Sequence, residues 1–346
     1  MYLTEQSFDE IAALLDELGQ PRYRARQVYA WLTRGVRPSD MTDLPKALRG
    51  RLQALPFGAV EIDRKRISAR DGTVKYLFAL EDGNLIEGVL MRYKYGNTAC
   101  LSTQVGCRMG CAFCASTLEG CVRSLHAGEM LGQIAAIERD EPAPEGRRTV
   151  TNVVLMGSGE PMDNLDNVLR FLRLVTSPDG RNISPRNISV STCGLLPELE
   201  RFTEEAPHVT LSVSLHAHDD ETRSRIMPVN RVYPIADLLR AAKRYAETTG
   251  RRVVFEYALI RGLNAAESDA VALARRLRGI NCHVNLIPLI PVPERNLAGA
   301  TRQEAAAFLN WLTREGVSAT VRREMGADIE GACGQLRRRV LHEIRD

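Results

Sequence analysis

Several things are missing from this chain of 346 residues, and each absence removes a class of protein. No apolar stretch approaches the ~20 residues that a membrane-spanning helix requires, so no membrane role is expected. No segment has the layout of a secretory signal, which argues for a cytoplasmic location and against a disulfide framework. Neither a low-complexity segment nor a self-similar repeat of roughly 20 to 50 residues is present, so a solenoid is not expected. Charge of one sign is barely in excess: 46 Lys+Arg against 43 Asp+Glu leave +3, which alone names no partner. The eight cysteines include no second C-x2-4-C or H-x3-5-H pair, so a zinc finger or ribbon would lack half its ligands.

What is present is Cys-Arg-Met-Gly-Cys-Ala-Phe-Cys, which holds Cys107, Cys111 and Cys114 in a C-x3-C-x2-C spacing. Electron-carrying [4Fe–4S] cubes are normally closed by four cysteines. Three thiolates leave one iron open to a substrate or cofactor. An open-cornered cluster is therefore the favoured reading, ahead of zinc, with a structural staple third. Cys100, Cys121, Cys193, Cys282 and Cys333 are dispersed along the rest of the chain.

The composition, 44% hydrophobic and 26% charged, is that of an ordinary globular protein, and the length suits one large barrel with a small appendage. From Gln20 to Ser39 there are five arginines (Arg22, Arg24, Arg26, Arg34, Arg37), three aromatics (Tyr23, Tyr29, Trp31) and no acid. Interleaved cations and rings can neutralise phosphates and stack on bases, although a solvated helix face gives the same pattern. Ser7 with Glu10 reads as a capping box opening a first helix that carries Phe8, Ile11, Leu14, Leu15 and Leu18 on one face. A second helix carries Ala25, Val28, Tyr29 and Leu32, and a third runs roughly from Lys46 to Leu55. Between Val60 and Tyr95 the apolar residues alternate, with Asp71-Gly72 and Asp82-Gly83 marking hairpin turns. Residues 1–95 thus read as an accessory domain of helices followed by a small antiparallel sheet.

Beyond Asn97 strands and helices alternate. The strands are expected at Ala99 to Val105, Asn152 to Met156, Ile188 to Ser191, Thr210 to Leu215, Val253 to Leu259 and His283 to Ile287. Helices are expected at Glu129 to Arg139, Leu165 to Val175, Ala236 to Glu247, Glu267 to Leu277 and Gln303 to Arg314, with a last strand at Ala319 to Arg322. The expected fold of residues 96–346 is α/β: a parallel sheet curled into a partial (β/α)6 barrel, with ligands at the carboxyl ends of the strands. The cysteine loop follows the first strand, Gly157-Ser158-Gly159-Glu160-Pro161 the second, Ser191 ends the third and Ser214-Leu215-His216 the fourth. Each is weak alone, and His216 has the plain alternative of a satisfied interior histidine. Together they line one rim.

An open iron beside such a barrel resembles the radical S-adenosylmethionine (SAM) superfamily, in which the amine and carboxylate of SAM chelate the fourth iron and reductive cleavage gives a 5′-deoxyadenosyl radical. The combination of Cys107 to Thr117, Gly159-Glu160-Pro161, Ser191-Thr192-Cys193-Gly194, Ser214-Leu215-His216-Ala217, Met227-Pro228-Val229-Asn230 and Asp328 to Leu336 resembles the RlmN/Cfr family of RNA adenine methyltransferases. Arg24-Ala25-Arg26-Gln27 and Met41-Thr42-Asp43-Leu44-Pro45 are similar to that family's accessory module. The likeness covers essentially the whole chain.

The resemblance implies methylation of adenine C2 in 23S ribosomal RNA, with transfer RNA as a second substrate, by a monomer fed electrons by a donor such as flavodoxin. Adenine C2 and C8 are too weakly nucleophilic for direct methyl transfer, and a thiolate can take the methyl group instead. By resemblance Cys333 is the methyl carrier. One SAM methylates it, a second provides the radical that removes hydrogen from the S-methyl group, and the carbon radical joins enzyme to RNA. Cys100 matches the cysteine that attacks Cys333 and releases product with a transient disulfide, which requires a reductant each turnover. Glu87, in Leu85-Ile86-Glu87-Gly88, matches the family's proton acceptor. Gly159, Glu160, Ser191, Ser214, Leu215 and His216 match SAM-binding positions. Methylation at C8 is the alternative within the same chemistry, and a non-catalytic iron–sulfur or zinc RNA-binding protein is the alternative outside it. Ile290 stands where the family places a SAM-contacting asparagine. Either Asn285 or a backbone group compensates, or SAM affinity is reduced. Ser158, Cys193 and Met325 also depart from the usual residues, which bears on the RNA target rather than the mechanism.

Overall fold

The computed structural model describes residues 2–144, 147–292, 294–329 and Leu336. The N-terminal helices are α1 (Phe8–Glu17), α2 (Arg24–Thr33) and α3 (Lys46–Gln53). Ser7 opens α1 with the expected capping box: its Oγ accepts the Glu10 N–H at 3.2 Å, and Glu10 accepts the Ser7 N–H at 2.7 Å. The apolar faces of the three helices, with Ile11, Leu15, Val28, Leu32, Leu48 and Leu52, form a core of their own.

The chain then forms β1 (Val60–Ile67), β2 (Val74–Leu80) and β3 (Leu85–Tyr93), paired antiparallel through tight turns. Gly72 and Gly83 take φ of +70° and +80°, which their turns require and a side chain would oppose. Next come β4 (Gly96–Cys100), β5 (Gln104–Gly106), β6 (Cys121–Ser124), α4 (Ala127–Asp140), β7 (Asn152–Leu155), α5 (Leu165–Thr176) and β8 (Ile188–Thr192). They are followed by α6 (Leu196–Glu205), β9 (Thr210–Ser214), α7 (Asp220–Ile226), α8 (Ile235–Thr249), β10 (Val253–Leu259), α9 (Glu267–Leu277), β11 (Cys282–Pro288), α10 (Arg302–Arg314) and β12 (Ala319–Val321).

Ten of these strands form one sheet in the order β1-β2-β3-β4-β7-β8-β9-β10-β11-β12, while β5 and β6 pair separately. From β4 to β12 every neighbour is parallel. This is the partial α/β barrel expected from the sequence, with a seventh parallel strand at its open edge. The antiparallel strands are not a separate sheet: β3 pairs with β4, and Tyr76, Phe78, Ile86 and Leu90 share a core with Val153, Val190, Val213 and Phe255. Residue 95 lies in the hairpin between β3 and β4, inside this continuous sheet. The expected strand at 99–105 divides at Cys100. Beyond it, the Leu101 N–H goes to Val154 and the Thr103 N–H to Ser158, each at 2.9 Å.

Candidate active site

The loop between β5 and β6 carries the three clustered cysteines. It is closed by the Cys107 N–H donating to the Gly120 carbonyl at 2.8 Å, and braced by the Thr117 hydroxyl against the carbonyls of Cys111 and Cys114 at 3.1 and 2.9 Å. The Ala112 N–H donates to the Ile226 carbonyl at 2.8 Å, which ties the loop to the end of α7. Cys107 and Cys111 are buried and Cys114 half-buried, and the latter two pack among Cys193, Met227, Ile260 and Phe113. Burial pushes the Cys107 thiol up to about 12, against a hydrogen bond from Met109, and raises Cys111 also, with the other two sulfurs adding to it. Bound iron would remove that penalty, because a coordinated thiol is deprotonated outright. Among the described residues no three His, Cys, Asp or Glu groups are gathered as a single metal ion requires. A cube's cysteines bind separate irons and stand further apart than ligands on one zinc. The sulfur donor set therefore fits the cluster.

The Gly-Ser-Gly-Glu-Pro segment lies flat on residues 101–104. A Cβ on Gly157 would sit 2.6 Å from the Leu101 carbonyl oxygen, and one on Gly159, at φ +109°, 2.7 Å from the Gln104 nitrogen. The Ser158 carbonyl accepts the N–H groups of Thr103 and Gln104 at 2.9 and 3.1 Å. Glu160 is buried; its Oε1 accepts the Met162 N–H at 3.0 Å and its Oε2 the Cys193 N–H at 2.8 Å, so one carboxylate bridges the ends of β7 and β8. Burial raises its pKa and these hydrogen bonds oppose the rise.

Ser191 and Ser214 are half-buried at the same end of the sheet, and Leu215 and His216 are buried beside them. His216 takes φ +57°, its Nδ1 accepts the Ala258 N–H at 2.8 Å, and Asn264 Nδ2 donates to its carbonyl at 2.7 Å. That bond places the ring proton on Nε2. Burial, then the Arg223 charge, lower its pKa to about 3, so the ring is neutral. It is a well-satisfied interior histidine that also meets the cysteine loop, edge-on to Phe113 at 4.8 Å.

Sequence reasoning missed Arg223, which is fully buried. It donates to the carbonyls of Leu215 (3.1 Å), Cys193 (2.7 Å) and Ser214 (3.0 Å), and to Asn230 Oδ1 (2.9 Å). Asn230, the last residue of Met-Pro-Val-Asn, also donates to the Asp220 carbonyl and Ser224 Oγ, so this motif anchors the arginine. The arrangement was illegible because Arg223 sits on a short polar helix.

Glu87 and Cys100 lie on one face of the sheet. Val89 is opposite Cys100 and Glu87 is two residues further along β3, while Leu77 on β2 faces Glu87. Cys100 is buried against Val89, Met91, Met156 and Met325. Glu87 is buried with its Oε2 2.6 Å from Lys75 Nζ, and its carbonyl accepts the Ser102 hydroxyl at 2.7 Å. Ser102 Oγ in turn accepts the Ser158 N–H at 2.9 Å, which links Glu87 to the glycine-rich segment. Lys75 and Ser102 were not singled out from the sequence.

Cys333 lies outside the described residues. Of the residues flanking it, Asp328 accepts from Ser68 Oγ at 2.6 Å and the Ala69 N–H at 3.0 Å, and Leu336 packs on Leu77 and Leu85. The Gly326 N–H donates to Asp71 at 3.0 Å. Asn285 donates to Glu256 at 2.8 Å inside the barrel, and Ile290 is exposed. Part of the basic N-terminal stretch is spent within the fold: Arg24 binds Gln27 and the Asp43 carbonyl, Arg34 covers the Trp31 ring, and Arg37 pairs with Glu81. Arg22, Tyr23 and Arg26 remain exposed. No helix among the described residues is long and apolar enough to cross a membrane.

Comparison with known proteins agrees with this geometry. The model of the radical SAM superfamily matches residues 101–274, and that of the ribosomal RNA large subunit methyltransferase N-terminal domain matches residues 2–56. A probable dual-specificity RNA methyltransferase RlmN from Thermoanaerobacter sp. (strain X514) is 46% identical over 345 residues, 99% of each chain. The chain belongs to the RlmN family. A second RlmN relative, from Alkaliphilus oremlandii, is 47% identical over 98% of each chain. The crystal structure of a radical SAM methyltransferase from Sphaerobacter thermophilus superposes with a TM-score of 0.91 at 44% identity, covering 97% of this chain and 98% of that one. Family membership brings the [4Fe–4S] cluster and SAM to the site, and the helical module with its own core coincides with the family's N-terminal domain.

Proposed function

We propose that this protein methylates C2 of an adenosine in 23S ribosomal RNA, and in transfer RNA, through a methyl group carried on Cys333, with two SAM molecules consumed per turnover. The observation that carries the reading is the placement of Glu87 and Cys100 on one sheet face, next to strands that hold both flanks of the Cys333 segment through Asp328 and Leu336.

Cys107, Cys111 and Cys114 hold the cluster. Glu160, Ser191, Ser214, Leu215 and His216 hold SAM, with Gly157 and Gly159 letting the backbone approach and Glu160 offering a carboxylate to the ammonium group. Bound there, cluster and SAM supply the 5′-deoxyadenosyl radical. His216 stays neutral and donates through Nε2. Cys333 carries the carbon to the base, Glu87 accepts the ring proton, and Cys100 attacks the Cys333 sulfur: an S–S bond forms, the S–C bond breaks with its electron pair going to the methylene carbon, which takes a proton to become the methyl group, and a thiol reductant restores both cysteines. The exposed Arg22, Tyr23 and Arg26 on the N-terminal module grip folded RNA, and the target base is flipped into the barrel mouth. The enzyme works in the cytoplasm as a monomer, with an electron donor of the flavodoxin type.

Mass spectrometry of ribosomal and transfer RNA from cells with and without the gene tests this. The expected result is 2-methyladenosine present only with the gene and lost with Cys333→Ala. Finding 8-methyladenosine instead, or full methylation by the variant, overturns the assignment, and protein that forms no 5′-deoxyadenosine on reduction is no catalyst of this class.

A further inference from the structure

We propose that Lys75 is a positioning residue for the proton-transfer step, its ammonium fixing the place of the Glu87 carboxylate. This inference rests on the reading of Glu87 as proton acceptor and extends the machinery to a residue on a different strand.

Lys75 and Glu87 are diagonal neighbours on one face of β2 and β3. Lys75 faces Val89 and Glu87 faces Leu77, so the two charged side chains cross the gap between rows. Nζ and Oε2 are 2.6 Å apart, with side-chain exposures of 0% and 4%. Burying an ammonium and a carboxylate is expensive, and an apolar pair of similar volume is often as stable or more so. Apart from the Tyr76 hydroxyl, bonded to Asp140 on the other face, every other position of β2 is apolar, so nothing in the strand's packing asks for a lysine. Its row explains it: Lys75, Val89 and Cys100 lie side by side across three strands, on the face that also presents Glu87. The ion pair shares its face with Cys100, the cysteine proposed to resolve the adduct, with Val89 standing between Lys75 and Cys100.

The chemistry needs what this pair provides. In the step concerned, the ring C–H bond of the RNA adduct breaks, its electron pair stays on the purine while the adduct's unpaired electron passes to a one-electron acceptor, and the proton forms an O–H bond at Glu87. Only a carboxylate oxygen with a free lone pair can take that proton, and the ammonium 2.6 Å from Oε2 fixes where the carboxylate stands. Position is fixed at two points, since Lys75 holds Oε2 and the Ser102 hydroxyl holds the Glu87 carbonyl at 2.7 Å. A lysine serving only to lock strand register would have no bearing on which step of turnover fails.

The test uses the anaerobically reconstituted full chain as wild type, Lys75→Met and Lys75→Arg, in single turnover on 23S ribosomal RNA and transfer RNA from cells lacking the gene. Three products are read: 5′-deoxyadenosine, RNA-linked protein on denaturing gels, and methyladenosine by mass spectrometry. Hydrogen removal from the methyl carrier precedes the proton step. Lys75→Met is therefore expected to keep 5′-deoxyadenosine within about threefold of wild type, to accumulate about tenfold more RNA-linked protein, and to lose methyladenosine about 100-fold. Lys75→Arg, which keeps the charge but not the geometry, restores methylation to within about tenfold of wild type and leaves the trapped adduct below that of Lys75→Met and still above wild type. Methylation by Lys75→Met at the wild-type level, or all three products falling in step, overturns the role of Lys75. If Lys75→Met does not hold its cluster, Lys75→Arg decides: adduct above wild type supports the proposal, and adduct at or below it overturns it. A wild-type protein that makes no methyladenosine brings down the functional reading, and this inference with it.

Discussion

Arg223 donates from Nη2 to the carbonyl oxygen of Cys193 at 2.7 Å, so a fully buried cation on α7 holds the chain just beyond the end of β8. Its bonds to the Leu215 and Ser214 carbonyls do the same for β9, those to Asn230 Oδ1 and the Tyr233 carbonyl reach the chain after α7, and among the described residues none of its hydrogen-bond partners is a carboxylate. Burial lowers its pKa to about 10, which leaves it charged at neutral pH. The strand ends that carry Glu160's partner and Ser214 are thus set by one guanidinium.

Arg223→Met is expected to strip several buried carbonyls of their donor at once. Each unsatisfied group costs about 1–3 kcal/mol, so the loss of stability should exceed about 3 kcal/mol, although the terms are not additive. Chemical denaturation of the cofactor-free protein measures it. A loss below about 1 kcal/mol would show that the strand ends are held by something else. Lysine cannot reproduce a planar fork that reaches both strands, so Arg223→Lys should recover little.

His216 gives a pH dependence of definite sign. Its folded pKa, about 3, lies below the ordinary histidine value of 6.5, so as pH falls the unfolded chain binds the proton first. The contribution to stability is complete above pH 6.5, declines as pH drops from there toward 3, and is flat below. Within that window the slope approaches about 1.4 kcal/mol per pH unit. Compared with His216→Gln, whose side-chain oxygen can still accept the Ala258 N–H, wild-type stability should fall more steeply between pH 6 and about 4. Parallel pH curves for the two proteins would mean that the ring takes up its proton in the folded state.

Much of this was legible because local chemistry forces local spacing. Cys107, Cys111 and Cys114 must reach one cube from one loop, so their pattern survives in the sequence, and apolar strands alternating with amphipathic helices announce a parallel sheet. The short helix α7 stayed hidden because its seven residues carry a single apolar side chain, Ile226. Val74, Tyr76, Phe78 and Leu80 alternate with Lys75, Leu77 and Ala79, which marks one face of a strand and is silent on the other. Both faces of β2 are in fact largely buried, one in the shared core and one in the barrel, so Lys75 had the look of a solvated residue. Periodicity reports which residues share a face and not what covers it. Arg223, Lys75 and Ser102 act on partners distant in sequence, and no local pattern records such pairings.

The C-terminal segment supplies the last prediction. Asp328 docks on the β1–β2 turn through Ser68 Oγ and the Ala69 N–H, and Gly326 docks on the same turn through Asp71. Against the burial that raises it, hydrogen bonds from Gly326, Thr73 and Ser68 bring Asp71 to about 2, so this clasp persists to strongly acid pH. Asp328→Ala removes two acceptors at an exposed site, where global stability should change little. The local effect should be larger: amide exchange at residues 68–73 should quicken, and RNA methylation should fall about tenfold while SAM binding holds, because the residues proposed to bind SAM lie on other strands. Methylation that stays at the wild-type level while exchange quickens would mean that the clasp stabilises the turn without serving the segment that carries Cys333.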